Sequence, residues 1–172
     1  FLVILKKMTG CSSEVCWSGF KKLMNLLKND KEKFEDSFKP IMPEKWINDY
    51  NVWLNTSDIE KCLDQYEDKD PHFYFYGAIP IDFDDCKVSN LCSIDIKKHI
   101  AEKQDKIGIV FNTDPSTKGG QHWMSMYIDV IGRNLDGNPG IYYFDSYGRK
   151  PPKQIQGLID KILKQSKKCK CD

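Results

Sequence analysis

The sequence predicts an α+β domain, and three observations predict it. Three apolar runs, Ile107–Phe111, Trp123–Ile131 and Ile141–Phe144, are rich in β-branched and aromatic residues and are bounded by Gly, Pro, Asn or Asp, so each reads as a strand. The stretches between them, Asn112–Gln121 and Gly132–Gly140, are turn-rich and of hairpin type, so neighbouring antiparallel strands are the simplest pairing. On both sides of these runs, apolar residues recur at spacings of three and four, the period of amphipathic helices.

Composition narrows the class. A chain of 172 residues with 40% apolar residues is long enough for one domain with a real core. Twenty-six Lys and Arg against 25 Asp and Glu leave a net charge of +1, which gives no electrostatic basis for a specific nucleic-acid partner. The apolar runs are too short to span a bilayer, so no membrane partner is expected. Phe1 is not an initiator Met, and the five apolar residues it opens are too short for a signal peptide. The reading frame is therefore expected to begin upstream.

Taken in order, Phe1–Lys7 reads as a short strand or the end of a helix, and Thr9–Glu14 as a turn. From Cys16 to Phe38, Trp17, Phe20, Leu23, Met24, Leu27 and Phe34 mark one amphipathic helix or two, ended by Pro40 and Pro43. Residues 1–44 thus form a helical accessory segment, and residues 45–172 the core domain. Trp46, Tyr50, Trp53 and Leu54 suit aromatic packing. Asn55 to Asp58 supply helix N-caps, and Ile59, Cys62, Leu63 and Tyr66 follow at helical spacing. Phe73–Ile81 is aromatic and extended, and Pro80 places it at an edge or a strand end. Asp82, Asp84 and Asp85 form an acidic turn. With no Gly or distant Glu at loop spacing, this reads as solvated loop rather than calcium site. Ser89–Lys103 is a weak helix. Pro151-Pro152 introduces a last one, with Ile155, Leu158, Ile159, Ile162 and Leu163 as its stripe and lysines crowding its end.

Seven cysteines in no regular framework read as mostly reduced thiols. A zinc site of Cys11, Cys16, Cys169 and Cys171 is conceivable, but Cys-x-Cys is tighter than structural zinc spacing. No metal and no organic cofactor is expected. His72 and His99 lack any partner pattern and read as structural or surface residues. His122 differs. It opens the second predicted strand, and Asp145 closes the third, so hairpin pairing brings an imidazole and a carboxylate to one sheet edge. That is two thirds of a Cys-His-Asp or Ser-His-Asp site, with Nδ1 expected toward the carboxylate. Asn112 ends the strand beside them, and Gly119-Gly120 allow a tight loop before His122.

These residues carry a resemblance. His122-Trp123, then a hydrophobic strand, then Tyr143-Phe144-Asp145-Ser146 and Pro151-Pro152 resemble the catalytic core of the Ulp1-type SUMO-protease superfamily. Asn112-Thr113-Asp114 through Ser116-Thr117 to His122-Trp123 is similar to the polyprotein-processing cysteine proteases of African swine fever virus and other large DNA viruses. Trp53 to Ile59 is similar to the segment that opens that protease domain, and Gly10 to Cys16 to its accessory region. The resemblance implies a Ulp1/adenain-like core, a central and mostly antiparallel sheet flanked by helices. It implies a cysteine-type endopeptidase with His122 as general base and Asp145 as its orienter, a place where some relatives carry Asn. Trp123 is implied to pack over the imidazole, Trp53 to flank the substrate channel and Asn112 to support the loop, all three as substrate-binding residues. Implied substrates are viral polyproteins or ubiquitin-like conjugates cut after Gly-x or Gly-Gly, in the virion and the host cytoplasm.

One departure stands out. The family's nucleophile lies beyond the helix that follows the Pro-Pro pair, in a Gln-to-Cys-Gly context. Cys169 and Cys171 have no such surroundings. The expectation is a domain truncated before its nucleophile helix, inactive by itself. The alternative is a catalytically inactive, protease-fold structural or interaction protein of the virion.

Overall fold

The computed structural model describes residues 2–10, 16, 17, 20–27, 30, 43, 45, 46, 49, 51–132 and 137–168. The chain divides into two compact units, Phe1–Met42 and Pro43–Asp172. In the first, helix α1 covers Leu2–Thr9, so the N-terminal apolar run is helical rather than extended. The Gly10 N–H closes it onto the Lys6 carbonyl at 2.9 Å. Gly10 has φ +73°, the left-handed conformation that ends helices. Helix α2 covers Lys21–Leu27 and buries Met24, while Cys16 and Trp17 are helical just upstream. The remainder of the helical pattern expected to Phe38 lies outside the described residues, apart from Asp30.

The second unit opens on helix α3, Thr56–Glu67. Its start is a reciprocal capping box. The Asp58 N–H donates to Asn55 Oδ1 at 2.9 Å, and the Asn55 N–H to Asp58 Oδ2 at 3.2 Å. Strand β1, Phe73–Ile79, follows, then β2, Lys106–Asn112, β3, Trp123–Asp129, and β4, Gly140–Asp145. They form one four-stranded sheet in the order β1-β2-β3-β4. The β2-β3 and β3-β4 pairs are antiparallel, as the hairpin connections require, and β1 runs parallel to β2. A parallel pair needs a crossover, and residues 80–105 supply it. The β1-β2 register shifts between Phe75 and Ala78, where Gly77 takes φ +106°. The extra residue there makes a bulge.

Strand β1 ends at Ile79, just before Pro80, and two other elements are also shorter than their patterns suggest. Ser89–Lys103 is not one helix: a 3-10 turn covers Asn90–Ser93, and helix α4 covers only Ile96–Ala101. Asp95 separates them, its carboxylate accepting from the N–H groups of Lys97 and Lys98, so it acts as an N-cap and not as a helix interior residue. Strand β3 stops at Asp129 rather than Ile131. The Asp129 side chain takes the Gly132 N–H at 2.7 Å, and the Val130 N–H turns to the Asp105 carbonyl.

The core lies on one face of the sheet. Ile107, Ile109 and Phe111 from β2 and Met124, Met126 and Ile128 from β3 alternate inward. Helix α5, Lys153–Lys168, lays Ile155, Leu158 and Ile162 on them, with Phe83, Leu91 and Ile96 from the crossover. Gln165 pins α5 to the start of α4, accepting from the Ile96 N–H at 2.8 Å and donating to the Ile94 carbonyl at 2.9 Å. Helix α3 meets β1 on the opposite face, through edge contact of Tyr66 with Phe73.

The reduced-thiol reading needs correction. Cys86 and Cys92 are joined by a disulfide, and Cys16 is also disulfide-bonded. The turns of residues 82–88 fold back onto the 3-10 turn and bring the Cys86 and Cys92 Cα atoms to 5.3 Å. Cys62 is half-buried and outside the disulfides. Of the four cysteines weighed for zinc, Cys16 is thereby withdrawn as a thiolate, and the other three lie outside the described residues. No helix among the described residues is long and apolar enough to cross a membrane.

Candidate active site

The site is built at one end of the β2-β3-β4 hairpins. The Asn112–Trp123 pair closes the β2-β3 ladder, and the Thr113 N–H reaches the His122 carbonyl at 3.0 Å. Loop 113–122 therefore leaves and re-enters the sheet at fixed points. Asn112 is buried and its Oδ1 accepts from the Asp114 N–H at 2.9 Å. Gly120 sits on the same side chain with φ +85°, where a Cβ would come within 2.3 Å of Asn112 Nδ2. Both the backbone conformation and the space demand glycine. The far side of the loop is held by Asp82, whose carboxylate accepts from the Ser116 N–H at 2.9 Å and the Ser116 hydroxyl at 2.7 Å. These bonds, the hydroxyl's first, draw the Asp82 pKa below the usual carboxylate value. Asp82, read from the sequence as solvated loop, is thus a clamp on the loop that carries His122. The main chain links the same two loops, through the Ile81 N–H and the Asp114 carbonyl.

Strand β4 delivers the partner. Asp145 pairs in register with Met124, two residues past His122. His122 Nε2 lies 2.6 Å from Asp145 Oδ1, and the two side chains are 16% and 2% exposed. The sequence reading expected Nδ1 at the carboxylate, but the distal nitrogen makes the contact. Asp145 stands diagonally across the ladder, and the ring reaches it with its outer edge. Nδ1 is left as the nitrogen free of the carboxylate. The same Oδ1 accepts the Tyr147 N–H at 2.9 Å, and the Gly148 N–H donates to the Asp145 carbonyl at 2.8 Å, a tight turn after the strand. The Tyr147 N–H is the largest influence holding the Asp145 pKa below its usual value. Burial opposes it, and His122 and then Arg149 add to it.

The aromatic over the imidazole is Tyr147 rather than Trp123. The Tyr147 and His122 rings are stacked, 4.4 Å between centroids and 29° between planes. Trp123 follows His122 in an extended chain, so its side chain projects to the other side. Its Nε1 donates to the Leu54 carbonyl at 3.1 Å. Trp53, Asn112 and Trp123 do come together. All three line a cleft of about 520 Å³, with Leu54, Pro80 and Gln121 among its other walls. His122 lies between the Gln121 and Trp123 walls of that cleft in sequence. Tyr147 was the residue missed. The signal was present, because a residue two after an Asp in a turn commonly returns its N–H to that carboxylate.

The other histidines have different company. His72 Nδ1 meets the Lys103 carbonyl at 2.8 Å and Asp105 at 3.3 Å. His99 is buried between the Tyr76 hydroxyl and Gln104. Among the described residues, no group of three or more His, Cys, Asp or Glu side chains is placed to hold a metal ion.

No protein-family model matches the chain. A protein of Acanthamoeba polyphaga mimivirus, named as a thiol protease, is 36% identical over 110 residues, which is 64% of this chain and 34% of that protein. The African swine fever virus protein named SUMO-1 cysteine protease (isolate Pig/Kenya/KEN-50/1950) is 31% identical over 68 residues, 40% of this chain and 23% of the viral protein. The chain thus spans about a third or less of these relatives in the matched regions. The crystal structure of the African swine fever virus protease superposes with a TM-score of 0.58 and 22% identity, covering 97% of this chain and 64% of that one. The chain is similar in sequence to the mimivirus and African swine fever virus proteins named as thiol and cysteine proteases, and its fold is that of the African swine fever virus protease.

Proposed function

We propose that the chain is part of a cysteine-type endopeptidase in which His122 is the general base and Asp145 its orienter. The observation that carries the proposal is the 2.6 Å contact of His122 Nε2 with Asp145, on a residue whose two chain neighbours, Gln121 and Trp123, line the Trp53-Asn112-Trp123 cleft. An imidazole held on one nitrogen by a carboxylate has the other available to take a thiol proton. In this reading Nδ1 accepts that proton and the thiolate attacks the scissile carbonyl. The imidazolium then protonates the leaving amine, and water hydrolyses the thioester with the same imidazole as base. Asp145, ionised in the neutral range, stabilises the imidazolium while it lasts.

The thiol in this proposal comes from residues outside the 172, in the part of the longer relatives that this chain does not match. The substrate is a protein, a viral polyprotein or a ubiquitin-like conjugate. Cleavage follows Gly-x or Gly-Gly, because a channel walled by two tryptophans favours residues without side chains. Trp53, Trp123 and Asn112 form the wall of that channel. The enzyme acts in the virion and the host cytoplasm. Residues 1–44 serve as an accessory segment to the 45–172 core.

The test is to express the protein from the complete reading frame and assay fluorogenic peptides ending in Gly-Gly or Gly-x against matched peptides with Ala at the cleaved position. Thiol-dependent cleavage of the glycine peptides, lost in His122→Ala and absent from the 172-residue chain alone, is the expected result. A complete protein that folds, binds and does not cleave would leave the virion structural or interaction role instead.

A further inference from the structure

Tyr147 has no packing reason to be where it is. It is 66% exposed, follows the last strand in a turn, and contributes nothing to the core. Yet it touches the His122–Asp145 pair twice. Its ring stacks on the imidazole at 4.4 Å, and its N–H donates to the carboxylate oxygen that meets Nε2. The Arg149 guanidinium carbon lies 4.8 Å from the centroid of the same ring, within reach of a cation–π contact that steadies the ring from the far end of the turn. A hydrogen bond through one nitrogen fixes a point of the imidazole but leaves it free to rotate about the Nε2–Oδ1 line. A stacked ring removes that freedom.

We propose that Tyr147 is the positioning residue of the site: its ring fixes the imidazole plane and its N–H fixes the carboxylate, so that Nε2 stays on Asp145 and Nδ1 keeps one direction. The proposal rests on reading His122 as the base. Arg149 serves the same end at one remove, by holding the Tyr147 ring.

Nuclear magnetic resonance of the three histidines in the chain tests this without any cleavage assay. In the unsubstituted chain the His122 carbon-bound protons should be displaced upfield by the ring above them, and the Nε2 proton on Asp145 should appear as a protected low-field signal. Tyr147→Ala should move the carbon-bound protons downfield and lose the low-field signal to solvent exchange, with the His72 and His99 signals unmoved. Tyr147→Phe, which keeps the ring, should preserve both signatures; the main-chain N–H is common to all these variants, so the differences among them report the ring. Tyr147→Leu keeps bulk without the ring and should behave like Tyr147→Ala, and it serves if that variant does not fold. A folded Tyr147→Ala or Tyr147→Leu chain with unchanged His122 signals would overturn the proposal. Absence of cleavage by the complete protein would count against the protease reading alone, since the resonances report the stack whether or not a thiol is present.

Discussion

Two histidines of this molecule are held by polar side chains, His122 by a carboxylate and His99 by neutral groups, and the difference sets what each can do. His122 meets a carboxylate, and its side chain keeps 16% of its surface exposed. His99 is 5% exposed and meets only neutral partners, with the Tyr76 hydroxyl 2.8 Å from Nε2 and the Gln104 side chain 3.1 Å from Nδ1. Tyr74 and Tyr76 both lie against its ring. Burial pushes the His99 pKa down and that of Tyr76 up, so both stay neutral. A neutral, fully bonded imidazole is a structural strut. One held by an anion and open to solvent is equipped to move a proton.

The comparison breaks first on substitution. His122→Ala in the complete protein should lower kcat/KM by about 10⁴-fold or more, as loss of a catalytic base does, with thermal unfolding little changed. His99→Ala should do the reverse. It leaves the Tyr76 hydroxyl unpartnered in a cavity, and should cost roughly 2 kcal/mol of stability, while the folded fraction keeps its cleavage rate. Chemical denaturation and peptide cleavage on the two variants measure both halves. Equal stability losses would make His122 a strut as well.

Next comes the loop that carries His122. Gly120→Ala should destabilise by about 1–3 kcal/mol, the range for a residue forced into an unsuitable backbone conformation, and here the new methyl also meets Asn112. Because the Thr113 N–H bonds the His122 carbonyl, the disturbance should reach the His122–Asp145 contact. No comparable strain adjoins His99, where Gly77 has φ +106° but a Cβ would meet only the Glu60 side-chain tip at 3.6 Å. Gly77→Ala should therefore carry the backbone penalty alone. Denaturation midpoints of the two variants rank them.

The sequence made the His122–Asp145 pair legible because both residues sit at ends of adjacent hairpin strands, where register follows from turn length. The same locality exposed the N-cap within Asn55–Asp58 and the apolar stripe of α5, though not the reciprocal box that Asp58 completes. What escaped depends on contacts between distant segments. The parallel placement of β1 needs the crossover to fold back. The disulfide of Cys86 with Cys92 needs the acidic turn to close, and Asp82 finds Ser116 across 34 residues of chain. The broken helix at 89–103 has a different reason: Asp95 suits a cap as well as a helix surface, and the Gln165 contacts with Ile94 and Ile96, 71 and 69 residues away in the chain, add to its capping bonds in favour of the break.

The smallest expected effect separates the two histidine regions by pH. His99 has its pKa lowered by burial from the usual 6.5, so the unfolded chain takes up its proton more readily than the folded one. Its contribution to stability is complete above pH 6.5 and declines as pH falls toward the folded value. Asp145 also has a lowered pKa, from the usual 3.8, led by the Tyr147 N–H. Its contribution is complete above pH 3.8 and is lost only as pH falls through the folded value, a loss it shares with Asp58, Asp70 and Asp82, whose pKa values are likewise lowered. Acid should thus weaken the fold in two stages, the first from the His99 region and the second including the His122 region. Denaturation midpoints across pH 8 to 3 should show the first stage flattened in His99→Gln, with the second intact. Asp145→Asn should leave the first stage and soften the second. If His99→Gln left the decline near neutrality unchanged, the buried imidazole would not be the group responsible, and the contrast between a neutral strut and an anion-held base would lose its pH signature.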